Sequence, residues 1–191
     1  MKKVLFVLVV LLIVSLPALS QGWVGGVGGN GAMPMGDFKD FAGTGFGGSA
    51  WAGYVVDQNL TITAKVEYLK FGSKDVTTDI PAVVVGSVTI VPARTITTTY
   101  PGGNIIPILV GARYFFMPPS DMRVYGAAEA GIFNISDGGG SKVGFAPTLG
   151  AQFKAGEKMN VDVNVNYTYV STENKATTWL GFGLGLEFVL Q

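Results

Sequence analysis

Three runs in this 191-residue chain have the residue types and spacing of a chemical site. Gly26, Gly28 and Gly31 match G-x-G-x-x-G, and so do Gly43, Gly45 and Gly48. A dinucleotide loop of that spacing must sit between a strand and a helix, with an acid about 20 residues further on. No helical pattern follows either run, and 28 glycines generate such matches by accident. Glycines that let strands bend and let bulky neighbours pack are the better reading. Asp162, Asn164, Asn166 and Glu173 stand at four ligand positions of a calcium loop, but Tyr167 occupies the place of its turn glycine. Val161, Val163 and Val165 interleave these residues, which holds them on an extended strand where they cannot curl around an ion. No metal and no cofactor is expected.

Composition removes most of the remaining chemistry. The chain has no histidine and no cysteine, so a Ser-His-Asp triad, an imidazole base, a thiol nucleophile and a thiolate zinc site are all excluded. Thirteen Lys+Arg balance thirteen Asp+Glu, and no bulk charge points to nucleic acid. Nothing marks the fixed cleft that a glycosidase carboxylate pair needs. The expectation is a protein that is not an enzyme.

What remains is a set of charges embedded in apolar or small surroundings: Lys65, Glu67, Arg113, Glu129, Asp162 and Glu187. Their positioning elements follow from a period of two. Leu60, Ile62, Ala64, Val66 and Tyr68 alternate with Thr61, Thr63, Lys65 and Glu67. Val161 to Tyr169 alternates with Asp162, Asn164, Asn166 and Thr168, and Leu180 to Phe188 alternates with three glycines and Glu187. Such alternation predicts strands with one apolar face and one polar or small face. Strands are predicted at 22–33, 44–56, 59–71, 104–117, 122–134, 143–155, 158–171 and 177–190. Short turns (Asp57-Gln58, Pro118 to Asp121, Gly156-Glu157) alternate with longer loops at 34–43, 72–103, 135–142 and 172–176.

An even number of strands, each about ten or more residues long with short turns at one end, is the pattern of an eight-stranded antiparallel up-and-down transmembrane β-barrel. A soluble periplasmic β-sandwich binding module has the same alternation with its faces reversed. Strand length and aromatics near strand ends (Tyr54, Tyr68, Tyr114, Phe115, Phe116, Tyr167, Tyr169 and Phe188) favour the barrel. The start favours it too. Lys2-Lys3, the apolar run Val4 to Val14 and the segment Leu16 to Gln21 have the order of a signal peptide. Cleavage after Ser20 leaves a barrel domain over 21–191, with eleven bases against thirteen acids and a net charge of −2.

On this parity the six charges line the lumen, where an unpaired ion costs several kcal/mol. They are expected to form a hydrogen-bonded plug that fixes register, the competing reading being an ion or proton path. Gln152 shares their side, and Gly181, Gly183 and Gly185 are expected to give these long groups room. The loop 72–103 is rich in β-branched residues (Val83 to Val85, Val88 to Val91, Thr95 to Thr99). It is expected to form two strands that rise as a ribbon, and it is the candidate site for an extracellular ligand. Packing as a cap over the mouth is the alternative. Asp37, Lys39 and Asp40 read as a solvated face.

The segments Met33 to Phe41, Gly45-Phe46-Gly47-Gly48, Asn59 to Ala64 and Tyr125 to Gly131 resemble the outer-membrane β-barrel domain family. These are small eight-stranded Gram-negative barrels of the opacity, OmpA-like and OmpW-like kinds. The resemblance spans about 22–191. It implies a cell outer membrane location, contact with membrane lipid and lipopolysaccharide, and insertion by the outer-membrane assembly machinery. It also implies periplasmic termini, with the longer loops outside. The OmpW-like relatives imply an alternative to a structural or surface-interaction role, a narrow channel or transporter for small or hydrophobic solutes. Lipid-modifying and proteolytic barrels rely on a catalytic histidine that this chain lacks.

Overall fold

A computed structural model describes residues 22–85, 88–136, 139–172 and 176–190, and for 83–85 and 88–91 the backbone alone. The signal peptide expected over 1–20 and Glu173 lie outside the described residues. Among the described residues twelve strands follow one another: β1 (Gly22–Met35), β2 (Gly45–Val55), β3 (Leu60–Phe71), β4 (Lys74–Ile80), β5 (Val83–Val85), β6 (Val88–Val91), β7 (Arg94–Tyr100), β8 (Asn104–Phe115), β9 (Met122–Ile135), β10 (Gly140–Lys154), β11 (Met159–Val170) and β12 (Thr177–Val189).

Eight of them close into an antiparallel barrel in the order β1-β12-β11-β10-β9-β8-β3-β2. Closure runs from Val24 beside Val189 to Met35 beside Thr178. The eight barrel strands are those expected from the alternation, with no end shifted by more than three residues. The loop after β9 is shorter than expected, because β10 begins at Gly140, whose φ of +65° suits glycine and closes the turn after Ser136.

The faces are inverted relative to a soluble protein. Val27, Phe46, Ile62, Val66, Ile108, Val110, Val143, Leu149 and Leu184 are exposed on the outside. Thr61, Thr63, Arg113, Glu129, Gln152, Asp162 and Glu187 are buried within. So wide an apolar exterior needs lipid, and the β-sandwich alternative falls. Tyr68, Tyr114, Phe116, Tyr167 and Phe188 sit exposed on this outer surface, as a membrane girdle requires. Phe115 does not: it is buried inside, edge-on to Tyr125, because its parity is that of Arg113.

The segment 72–103 forms a ribbon, as expected, but of four strands in two sheets rather than two strands. β4 pairs with β7, and β5 pairs with β6 as a separate sheet. The expectation missed β4, whose sequence Lys-Asp-Val-Thr-Thr-Asp-Ile is more polar than the apolar runs that drew attention. Residues 94–99 are all exposed, so this rung does not pack as a cap. Its root is tied down by Tyr100, edge-on to Phe41 at 5.1 Å, and by the Lys74 ammonium on the Lys39 carbonyl.

Candidate functional site

The barrel bore is filled in two layers of opposite chemistry. At the end carrying the short turns lies a charged layer centred on Arg113 of β8. Its Nη1 donates to Glu187 Oε2 at 2.7 Å and lies 3.9 Å from Asp162 Oδ2. Its guanidinium stands over the Tyr125 ring at 4.5 Å. Glu187 is further held by Trp51 Nε1–H at 2.9 Å and by Gln152 Nε2–H at 2.7 Å. Asp162 Oδ1 accepts from the Tyr125 hydroxyl at 3.0 Å and from Asn164 Nδ2 at 2.8 Å. Three strands on one wall and three on the other are thereby laced across the lumen.

Midway along the bore, Lys65 Nζ meets Glu129 Oε2 at 2.5 Å, and Asn30 Nδ2 donates to Glu67 Oε1 at 2.8 Å. The six residues expected in the lumen thus all face it, as two sets: Lys65, Glu67 and Glu129 midway, Arg113, Asp162 and Glu187 nearer the turns. Between them is a polar space of about 40 Å³, room for roughly three waters. Thr63 Oγ1 and Asp162 Oδ2 are buried there without a hydrogen-bond partner among the described residues. Asn164 and Asn166 line it beside Asp162, at alternate positions of a straight strand.

Glycine makes this packing feasible. The Trp51 indole lies flat across β1 and β12, and a Cβ on Gly26 or Gly185 would collide with it. A Cβ on Gly150 would collide with the Tyr125 ring, and Cβ atoms on Gly181 and Gly183 would meet the amides of Asn166 and Asn164.

The end carrying the loops is apolar inside. Trp179 is edge-on to Phe71 at 5.7 Å and to Phe133 at 5.9 Å, and Phe38 closes the cluster at 5.0 Å from Phe71. Leu69, Ile105, Leu109 and Val170 pack around them. Phe38 comes from the short 3₁₀ turn Gly36–Asp40, which carries it into the bore while Asp37, Lys39 and Asp40 stay exposed. Sequence reasoning missed this plug, and Trp51, Tyr125 and Asn30 in the polar layers. Parity was the available signal: Trp179 shares the side of Glu187, Phe71 that of Lys65, and Tyr125 and Phe133 that of Glu129.

At the mouth beside the short turns, Arg123 stacks on Phe115 at 3.7 Å and donates to the Gln58 carbonyl. Lys154 is exposed at this rim.

A closed eight-stranded sheet with lipid-facing apolar residues outside and ion pairs within defines an integral outer-membrane barrel protein. The chain belongs to the outer membrane protein β-barrel domain family, whose model matches residues 6–188. Solved barrels share the fold at low identity. Neisserial surface protein A is 16% identical over 88% of this chain and 97% of its own, with a TM-score of 0.64. OprG from Pseudomonas aeruginosa is 10% identical over 90% and 97%, with a TM-score of 0.60. Ail, the attachment invasion locus protein of Yersinia pestis, was solved in complex with the heparin analogue sucrose octasulfate. It is 16% identical over 88% and 97%, with a TM-score of 0.52. No curated protein matches the chain. The location is the outer membrane.

Proposed function

We propose that this is a non-enzymatic barrel whose bore is closed to solutes and whose work is done by surface contact at the loop end. The observation that carries the reading is the stacking of two barriers in one narrow bore. Trp179, Phe38, Phe71 and Phe133 fill the loop end, and the Arg113–Glu187–Asp162 layer fills the turn end. An eight-stranded barrel is just wide enough for side chains to fill, whereas water-filled porins use about 16–18 strands. The lumen network acts on this reading as a register-fixing plug. A leader over 1–20 exports the chain, the assembly machinery inserts it, lipid and lipopolysaccharide surround it, and the ribbon over 72–103 meets an extracellular ligand. Ail's complex with a heparin analogue is a precedent for ligand binding on such a scaffold.

Planar-bilayer recording tests the closed bore. Purified protein is expected to give no stable steps at neutral pH, and Trp179→Ala to raise leak by removing the central ring of the plug. Discrete, reproducible wild-type steps would establish the competing reading, a narrow channel, which the polar space between the two barriers favours.

A further inference from the structure

The two edges of the ribbon are not equivalent. β4 and β7 make a sheet of two strands, so each has one side with no strand beside it among the described residues. A free edge is a template for another strand. β7 reads Arg94-Thr95-Ile96-Thr97-Thr98-Thr99-Tyr100, with one charge, at its end, and no proline. Its partner β4 carries Lys74, Asp75 and Asp79.

Antiparallel pairing of a seven-residue strand with its own copy places the central residue on a two-fold axis. For β7 that sets Thr97 against Thr97, Ile96 against Thr98, Thr95 against Thr99, and Arg94 against Tyr100. The last pair offers a guanidinium to an aromatic ring, the threonine pairs are favourable cross-strand neighbours, and no like charges meet. The same operation on β4, about Thr77, sets Asp75 against Asp79 twice. Directly opposed like charges are destabilising. The β7 edge accepts a copy of itself and the β4 edge repels one.

The accepting edge is also held ready. Thr99 Oγ1 donates to Asp75 Oδ1 at 2.6 Å, Thr95 Oγ1 to Asp79 Oδ1 at 2.7 Å, and the Thr77 and Thr97 hydroxyls meet at 3.3 Å. These bonds fix one face of the ribbon in advance, which lowers the ordering cost of association.

We propose that β7 is a homotypic docking edge, which a second copy of this chain occupies through its own β7 to make a four-stranded sheet. Strand addition of this kind draws its affinity from main-chain hydrogen bonds and its register from side-chain pairs. Antiparallel pairing inverts the second ribbon, so in cells the mate stands in a facing membrane and the contact tethers two surfaces. The tethering rests on the reading that the loop end faces outward; the pairing does not.

The chain has no cysteine, so single cysteines report contacts cleanly. In detergent, where copies orient freely, Thr97→Cys is expected to form a covalent dimer under mild oxidation, and Thr77→Cys none. Vesicles carrying the wild-type protein are expected to aggregate. Those carrying Thr97→Asp or Thr97→Lys lose aggregation, because like charges then face each other on the axis. Mixing the two variant vesicle populations restores it. Absence of the Thr97→Cys dimer, equal cross-linking through Thr77→Cys, or failure of the mixture to aggregate each overturns the proposal. If the detergent dimer forms while protease fails to reach the ribbon on intact cells, the outward orientation is wrong and the edge pairing stands.

Discussion

Arg113→Ala asks how much the charged layer contributes to stability. The guanidinium is buried and sits 2.7 Å from Glu187 and 3.9 Å from Asp162, both almost wholly buried. Removing one partner of a buried ion pair leaves an uncompensated charge and costs about 3–5 kcal/mol. Here the orphaned Glu187 keeps its bonds from Trp51 and Gln152, which places the loss toward the lower end of that range. Adding Glu187→Gln removes the stranded charge but keeps an acceptor for Trp51, so the double variant is expected to recover most of the loss. The assay is urea unfolding in lipid vesicles, followed by the gel-mobility shift between folded and unfolded barrel. A loss below about 1 kcal/mol in Arg113→Ala, the range of exposed pairs, would refute the argument. So would a double variant no more stable than the single one, since the penalty would then come from lost packing rather than stranded charge.

Three further outcomes follow from the faces, the glycines and the orientation of the two ends. Leu184→Arg places a charge on the exposed lipid side of β12 and is expected to cost about 2–4 kcal/mol near mid-membrane, read as lost insertion into vesicles; Leu184→Ile should insert normally. Gly150→Ala pushes into Tyr125 and is expected to destabilise by about 1–3 kcal/mol, whereas Gly31→Ala, with no atom within 4 Å of the new methyl, should not; equal unfolding midpoints would discount the collision. An epitope inserted after Ala93 is expected to be labelled on intact cells and one after Asp57 only on opened cells; the reverse pattern would invert the orientation.

The strands and their faces were readable because a half-buried strand writes its period into the sequence. Lys65 between Ala64 and Val66, or Asp162 between Val161 and Val163, separates a polar side from an apolar one. Pairing across the bore was not readable, because it depends on which strands stand opposite one another after closure. Glu187 and Arg113 are 74 residues apart and on strands that are not neighbours in the sheet. Aromatics misled for a related reason. A ring near a strand end serves a membrane girdle or a lumen plug equally well, and only parity separates Tyr114, outside, from Phe115, inside. Phe38 gave no sign of its role, since it enters the bore from a turn that belongs to no strand period.

The three tryptophans stand in three different surroundings. Trp23 is half exposed on the outer face against Tyr54, Trp51 donates to a carboxylate inside, and Trp179 is sealed among phenylalanines. The molecule therefore carries its own set of fluorescent reporters, one for arrival in lipid, one for assembly of the charged layer and one for drying of the loop end. Keeping one indole at a time, with phenylalanine at the other two positions, would time these events separately during insertion. The order in which wall, lock and stopper form could then be read from emission wavelength alone.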